Sequence, residues 1–181
     1  TLSLDRRLQY LVYRELKAAV AAHHARGASA IVLDARSGEV LAMVNEPGFN
    51  PNNRASLRSS VFRNRAVTDV FEPGSIFKVV LAAAALEEKV VHPLEKIDCS
   101  AGSIKVADRV ISDAHRSGVL TFTDVIADSS NVGTIKVALR LGKERFARYI
   151  TAFGFGQKTG VDIPGEIPGL LKDRRLWSGV S

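Results

Sequence analysis

The chain has very little cysteine, and this scarcity narrows the classes of protein that it can be. One cysteine among 181 residues excludes a disulfide within the chain and a cysteine-based metal cluster. The four histidines are scattered without the spacing of metal ligands; they are His23, His24, His92 and His115. We therefore expect Cys99 to be a small structural side chain, and we expect neither a metal nor any other cofactor.

Long apolar runs are also missing, and tyrosine and tryptophan are few. No stretch reaches the roughly 18 apolar residues that a membrane-spanning helix needs. The net charge is +6, but the chain has only three Tyr and one Trp and no nucleic-acid-binding motif. We therefore expect no nucleic-acid partner, although the positive charge is compatible with an anionic cell envelope. The hydrophobic content of 46% and the charged content of 24% are those of an ordinary globular domain.

The hydrophobic pattern predicts one β-hairpin followed by a group of helices. A first helix is expected over about residues 5–25, ended by Gly27. Strands are expected at 31–33 and 40–44, joined by a turn at Ser37-Gly38. After them we expect an apolar helix that begins at Ser75, a Ser/Gly-rich connection over 100–118, an interrupted helix over 121–141, a helix over 143–153, and loop from Gly154 onward. This order indicates the α+β class, with one antiparallel sheet and a helical lobe.

The most informative motif is Ser75-Ile76-Phe77-Lys78, at the head of a run that is apolar on every face and so predicts a central, buried helix. Residues three apart on a helix lie on one face, roughly 5–6 Å apart between Cβ atoms. Burial should lower the pKa of Lys78, so that its neutral amine can act as the base for the Ser75 hydroxyl. A helix-capping serine and a lysine that reaches solvent would have the same spacing, so the motif alone leaves both interpretations open.

A second polar group breaks the helix predicted over residues 121–141. Thr121 and Asp124 have the spacing of a capping box, and Ser129-Ser130-Asn131 then interrupts the apolar pattern. Ser and Asn compete for backbone hydrogen bonds, so the break is either a short loop between helices or a functional loop. A functional loop would present Ser129 as a proton relay and Asn131 as an amide donor and acceptor to a substrate.

Taken together, the two motifs resemble those of the penicillin-recognising serine transpeptidases and serine β-lactamases. Four further stretches look like a class B penicillin-binding protein, most of all the cell-division transpeptidases; they are residues 33–43, 64–69, 71–75 and 153–160. The similarity runs from about Asp5 to the end of the chain. Ile76 departs from the family, which usually has threonine after the nucleophile.

The resemblance implies a penicillin-binding serine D,D-transpeptidase that crosslinks peptidoglycan, in septum synthesis during cell division. It implies that Ser75 is the nucleophile, Lys78 its base and Ser129 a proton relay, and that Asn131 binds substrate. The implied partners are D-Ala-D-Ala stem peptides, β-lactam antibiotics and other cell-division membrane proteins. The implied location is the periplasmic, extracytoplasmic side of a bacterial inner membrane, with a membrane anchor outside this chain.

Lys158-Thr159-Gly160 spells a third motif of the family, Lys-Thr-Gly, but its neighbours predict a loop. The catalytic copy must lie on a strand beside the nucleophile helix, and glycines and a proline surround this copy. We therefore expect the catalytic Lys-Thr-Gly beyond Ser181. By the same resemblance, residues 1–181 are the N-terminal portion of a single transpeptidase domain, with a β-lactamase/transpeptidase-like fold truncated before its last strands. The isolated piece is expected to be inactive.

Three other functions stay open on the sequence. A D,D-carboxypeptidase or a β-lactamase would use water in place of the acceptor amine. No deacylating glutamate of a β-lactamase is recognisable in the sequence, which leaves Glu144 and Glu166 open for that role. A β-lactam sensor domain of the same fold would be acylated and would signal without turnover. The isolated chain could also serve only as a structural fragment.

Overall fold

The structure, a computed structural model, describes residues 2–50, 52–53, 62–173, 175 and 177, and they fall into two compact units. Unit 1 is drawn from Thr1–Val70 and Gly160–Ile167, and unit 2 from Phe71–Thr159 and Pro168–Ser181. Among the described helices, none has both the length and the apolar character needed to cross a bilayer.

Unit 1 contains the predicted hairpin and two helices, namely α1 (Arg6–Ala22), β1 (Ala28–Leu33), β2 (Val40–Glu46) and α2 (Arg65–Thr68). The Asp5 carboxylate caps the start of α1 by accepting hydrogen bonds from the backbone N–H groups of Arg7 and Leu8. The predicted extension to residue 25 is wrong, because His24 adopts a left-handed conformation, φ 50°, that ends the helix before Gly27.

The two strands of unit 1 form an antiparallel pair whose register runs from Ala28 opposite Glu46 to Leu33 opposite Val40. The outer edge of β2 is covered, because the Gln9 side chain donates to the Met43 carbonyl at 2.8 Å and accepts from the Met43 N–H at 2.9 Å. In the described part of the chain, no third strand pairs with β1. A further strand could therefore add to this sheet at the edge of β1.

Unit 2 contains the helices that the sequence predicted and four short strands that it did not. In chain order the elements are a 3₁₀ turn (Gly74–Phe77), α3 (Lys78–Glu87), β3 (Lys96–Asp98), β4 (Ser103–Val106), β5 (Arg109–Ser112), β6 (Val119–Thr121), α4 (Phe122–Ala127), α5 (Asn131–Leu141) and α6 (Lys143–Ala152). β3 pairs with β6 and β4 with β5, both antiparallel. The prediction of a plain connection over 100–118, and of one sheet, is wrong because strands this short give no clear alternating pattern.

The core of unit 2 lies between α3, α4 and α5. Its main cluster of buried side chains consists of Ala85, Val91, Ile97, Cys99, Phe122, Val125, Val132 and Val137. Cys99 is 0% exposed within this cluster, as expected of a structural cysteine. The prediction that α3 is buried on every face is wrong for the described residues, because Val79 is 58% and Leu86 41% exposed while Leu81 is buried.

Candidate active site

Ser75 and Lys78 lie at the junction between the 3₁₀ turn and α3. Ser75 is the second residue of the 3₁₀ turn, and Lys78 is the first residue of α3. Gly74 precedes them with φ 57°, a left-handed conformation that glycine adopts without strain. The Ser75 side chain is exposed, and its hydroxyl has no hydrogen bond within the described residues. Ser75 is therefore accessible to a ligand from solvent.

The amine of Lys78 makes three hydrogen bonds, all of them to the Ser129–Asn131 link, which joins α4 to the start of α5. It lies 2.6 Å from the Ser129 carbonyl oxygen, 2.9 Å from the Ser129 hydroxyl and 2.8 Å from the Asn131 side-chain oxygen. The structure thus brings Lys78, Ser129 and Asn131 together, as the two sequence motifs suggested. It shows no hydrogen bond between Lys78 and Ser75, so that contact stays a prediction.

These three contacts account for all three positions of the lysine nitrogen that are not bonded to carbon, whether a position holds a proton or the lone pair. A neutral amine has two protons, which suit the two acceptor-only oxygens, and one lone pair, which can accept the proton of the Ser129 hydroxyl. A charged ammonium would donate to all three partners instead. In either state the Ser129 hydroxyl is the only partner that can also act as a donor, so Lys78 and Ser129 can exchange a proton directly.

The pKa of Lys78 is lowered from its ordinary value, as the sequence predicted. Burial is the larger cause, because removing the ammonium from water disfavours its charged form. The negative charge of Asp113 has the opposite and smaller effect. The site therefore favours a neutral amine more than solvent does, and a neutral amine is what a general base requires.

The link between α4 and α5 places Ser129 by means of a helix-ending motif. The Ser130 N–H donates to Val125 O at 2.9 Å, and the Ser129 N–H donates to Ile126 O at 3.2 Å. This pattern needs a left-handed residue, usually glycine, and Ser129 fills it with φ 56°. Both the carbonyl and the hydroxyl of Ser129 consequently reach Lys78. The capping box predicted at Thr121 and Asp124 is confirmed at the start of α4.

Asp113, which follows β5, is a site residue that the sequence did not reveal. Its carboxylate accepts hydrogen bonds from the N–H groups of Asn131 and Val132 and from the Ser130 hydroxyl. The neighbouring Ser112 carbonyl accepts from the Asn131 side-chain amide at 2.9 Å. No local sequence pattern indicates these contacts, because β5 itself was not predicted.

Gly133 allows α5 to lie close to α4 and to Cys99. A Cβ atom at this position would lie 2.6 and 2.8 Å from the two γ-methyl carbons of Val125 and 3.0 Å from the Cys99 sulfur. Both neighbours are 0% exposed and have little room to move. The close approach of the two helices, and with it the position of Asn131, therefore depends on glycine.

A cavity of about 440 Å³ lies beside Lys78 in unit 2. Its walls are mainly apolar side chains, contributed by Phe77, Leu81, Val106, Ile111, Ile135, Ala138, Leu139, Phe146 and Trp177. Lys78, Lys143 and Thr134 are its polar lining side chains. The cavity therefore places a mainly apolar wall beside Lys78.

Lys158-Thr159-Gly160 belongs to no helix or strand, and all three residues are exposed. Gly160 has φ 81°. The prediction that this copy of Lys-Thr-Gly lies in a loop is therefore confirmed.

Within the described ranges, no group of three or more His, Cys, Asp or Glu side chains could hold a metal ion.

Curated relatives match nearly the whole chain. The Probable peptidoglycan D,D-transpeptidase PbpC of Pseudomonas aeruginosa is 39% identical over 180 residues, which cover 99% of this chain and 32% of that protein. Peptidoglycan D,D-transpeptidase FtsI of Escherichia coli K12 is 41% identical over 179 residues, covering 99% of this chain and 30% of that protein. The chain thus spans about a third of the length of these relatives.

A solved structure and a family description agree with the relatives. Penicillin binding protein 3 of Mycobacterium tuberculosis, in complex with aztreonam, superposes with a TM-score of 0.92 at 39% identity, covering 99% of this chain and 41% of that one. This likeness confirms the predicted α+β, transpeptidase-like fold and the resemblance to class B penicillin-binding proteins. Residues 28–181 match the family described as "Penicillin binding protein transpeptidase domain". The chain, with its Lys78 amine held by Ser129 and Asn131, therefore belongs to the penicillin-binding-protein transpeptidase family.

Proposed function

We propose that the protein that carries this chain is a serine D,D-transpeptidase that crosslinks the stem peptides of peptidoglycan through an acyl-enzyme on Ser75. The observation that carries this proposal is the contact of the Lys78 amine with both Ser129 and Asn131, three residues after an exposed serine. A base, a proton relay and an amide for substrate binding are thereby collected in one place. The names of the relatives support the same reaction.

In the first step, the Ser75 hydroxyl attacks the carbonyl carbon of the penultimate D-alanine of a stem peptide. Lys78 takes the hydroxyl proton as the C–O bond forms, and the carbonyl oxygen becomes an oxyanion. The Ser75 backbone N–H is one donor to this oxyanion, and a strand outside residues 1–181 supplies the second. For this step the lysine lone pair must turn from Ser129 towards Ser75.

In the second step, the tetrahedral intermediate collapses and the C–N bond to the last D-alanine breaks. The leaving amine takes a proton from the Ser129 hydroxyl, which is replenished by Lys78 over their 2.9 Å contact. The Asn131 amide holds the peptide backbone of the substrate. The acyl ester then reacts with an amine of a neighbouring stem peptide, and the proton that this amine loses restores the Ser75 hydroxyl.

β-Lactams would acylate Ser75 in the same way, because their ring amide imitates the D-Ala-D-Ala amide. The aztreonam complex of the Mycobacterium tuberculosis protein supports this part of the proposal.

We further propose that the protein acts in the cell envelope, on the extracytoplasmic side of the inner membrane, during septum synthesis and with other division proteins. The FtsI relative supports the link to the cell wall.

Residues 1–181 would form the N-terminal portion of the transpeptidase domain. Two observations support this proposal: no described strand pairs with the outer edge of β1, and a two-stranded sheet is marginally stable in water. Further strands, one of them with the catalytic Lys-Thr-Gly, would pair with β1. The exposed loop position of Lys158-Thr159-Gly160 supports a separate catalytic copy.

The test is the intact mass of the full-length protein after incubation with benzylpenicillin. We expect a single adduct that peptide mapping places on Ser75, that is lost in Ser75→Ala, and that persists in Ser117→Ala as a matched serine control. An adduct that survives in Ser75→Ala would exclude Ser75 as the nucleophile. The same measurement on residues 1–181 alone should give no adduct if the second oxyanion donor lies outside them.

Turnover separates the proposed reaction from its rivals. A transpeptidase should release D-alanine from a D-Ala-D-Ala peptide and join the remainder to an added acceptor amine. Release without transfer would indicate a carboxypeptidase, and rapid hydrolysis of the penicillin adduct would indicate a β-lactamase. A stable adduct without any reaction on the peptide would indicate a β-lactam sensor.

A further inference from the structure

We propose that Asp113 is a positioning residue of this site, whose carboxylate holds Ser129 and Asn131 against Lys78 so that rapid acylation of Ser75 depends on it. The inference rests on the function proposed above. Asp113 touches neither Ser75 nor Lys78 by a hydrogen bond, so it acts through the α4–α5 link and through its charge.

Both oxygens of the Asp113 carboxylate accept hydrogen bonds. Oδ1 accepts from the backbone N–H of Asn131 and, at 3.0 Å, from that of Val132, while Oδ2 accepts from the Ser130 hydroxyl at 2.9 Å. Its own N–H donates to the Gly102 carbonyl at 3.0 Å, which fixes the segment after β5. Asp113 thereby ties three consecutive residues of α5 and its cap to a different part of unit 2.

Asn131 is held at two points, and this fixes the direction of its amide. Its backbone N–H donates to Asp113, and its side-chain NH₂ donates to the Ser112 carbonyl at 2.9 Å. With the NH₂ group occupied there, the remaining oxygen faces Lys78 at 2.8 Å. The Lys78 contact therefore follows from the contacts that Asp113 and Ser112 make.

The bonds of Asp113 add to the capping of α5 and also tie its start to a distant segment. The Ser130 hydroxyl accepts from the Gly133 N–H at 3.0 Å and so supplies the N-cap of the helix. Asp113 accepts from two further N–H groups of the first turn, those of Asn131 and Val132. Because Asp113 follows β5, these bonds also hold the Ser129–Asn131 link against the end of that strand.

The charge of Asp113 also bears on the base. Burial lowers the pKa of Lys78, and the Asp113 carboxylate raises it to a smaller extent. Lys143 lines the same cavity as Lys78 and is a second charged group on this side of α3. Loss of the Asp113 charge should consequently shift the pH dependence of acylation, an effect that a purely structural contact would not produce.

The experiment compares benzylpenicillin acylation and thermal unfolding of the full-length protein in four variants. Asp113→Ala removes the hydrogen bonds and the charge, whereas Asp113→Asn keeps one oxygen for the backbone N–H groups and removes the charge. Val137→Ala, in the core on the same helix, is the matched control for lost stability. Ser75→Ala reports whether the adduct is on the expected serine.

We expect Asp113→Ala to lower the acylation rate constant by about tenfold to a hundredfold, with little change in the preceding non-covalent binding, because a displacement of about 1 Å has an effect of this size. Asp113→Asn should lower the acylation rate constant less than Asp113→Ala does, and it should reach its maximal rate at a lower pH than the unmutated protein. Val137→Ala should lose thermal stability and keep its acylation rate. Should Asp113→Ala fail to fold, Asp113→Asn alone decides the question.

Two results would overturn the inference while leaving the proposed function intact. One is acylation of both Asp113 variants at the unmutated rate with an unmoved pH dependence. The other is an equal loss of rate in Asp113→Ala and Val137→Ala at equal loss of stability. Absence of a Ser75 adduct on the unmutated protein would instead overturn the proposed function and the inference together.

Discussion

Replacement of Gly133 by alanine should move the active-site link by overcrowding the contact between α4 and α5. The added Cβ atom would lie 2.6 and 2.8 Å from the Val125 methyl carbons and 3.0 Å from the Cys99 sulfur. The best distance between two carbon atoms is about 3.5–4.0 Å, so the overlap is close to 1 Å. Val125 cannot turn away, because a β-branched side chain on a helix has one strongly preferred rotamer.

The expected free-energy change combines two opposing effects. Overpacking of a filled core costs about 1–3 kcal/mol. Alanine in place of a helical glycine stabilises by about 0.5–1 kcal/mol. We therefore expect Gly133→Ala to lower the free energy of unfolding by about 1–2 kcal/mol. Because Asn131 lies in the same helical turn, the acylation rate should fall as well.

A double-mutant cycle tests whether the cause is the contact with Val125. Val125→Ala alone should cost about 2 kcal/mol, since two methyl groups leave the core and a cavity remains. In that background, the Gly133→Ala methyl group occupies the vacated space and should stabilise by about 0.5–1 kcal/mol. The two changes should then differ from additivity by about 2 kcal/mol.

The assay is urea unfolding of the four proteins of the cycle, with benzylpenicillin acylation measured in parallel. The double variant should regain most of the acylation rate that Gly133→Ala loses. Additive free energies, within about 0.5 kcal/mol, would refute the reasoning. An unchanged acylation rate in Gly133→Ala would show that the close packing of α4 and α5 does not position the link.

Two further predictions concern backbone conformation and pH. Lys89, with φ 53°, is left-handed at the end of α3, as Ser129 is at the end of α4. Lys89→Gly should therefore raise the free energy of urea unfolding by about 0.5–1 kcal/mol without changing acylation. Ser129→Gly relieves the same strain but removes the hydrogen bond between the Ser129 hydroxyl and Lys78, so it should gain less stability and should lose acylation. Equal acylation in both variants would contradict the relay role. Burial lowers the pKa of Lys78, and in the proposed mechanism its neutral amine is the base, so the acylation rate should rise with pH and level off below the ordinary lysine pKa of 10.5. A rate that still rises above that pH would contradict the assignment. Removal of the Asp113 charge should lower the pH at which the rate is half-maximal.

The sequence predicted the features that depend on residues close together in the chain. The capping box at Thr121 and Asp124 and the break at Ser129 were readable because caps and helix periodicity act over three or four residues. The loop around Lys158-Thr159-Gly160 was readable from its glycines. Both motifs of the candidate site were found in the same way, since each is a short run of residues.

Which of these residues contact one another depends on the tertiary structure. Lys78 contacts Asn131 across 53 positions of sequence, and Asp113 contacts Val132 across 19. Such contacts depend on how α3, α4, α5 and the strands pack, and no local pattern encodes them. The short strands β3 to β6 were missed for a related reason, because they are stabilised by pairing with distant partners rather than by their own composition.

The residue types in Ser75-Ile76-Phe77-Lys78 and Ser129-Ser130-Asn131 thus predicted the chemistry of the candidate site. Only the tertiary structure showed that Lys78 is bound to the α4–α5 link rather than to Ser75, and that Asp113 holds this link. The physical reason is that a side chain's type sets what it can donate, accept or ionise, whereas its partner is set by the packing of elements that lie far apart in the chain.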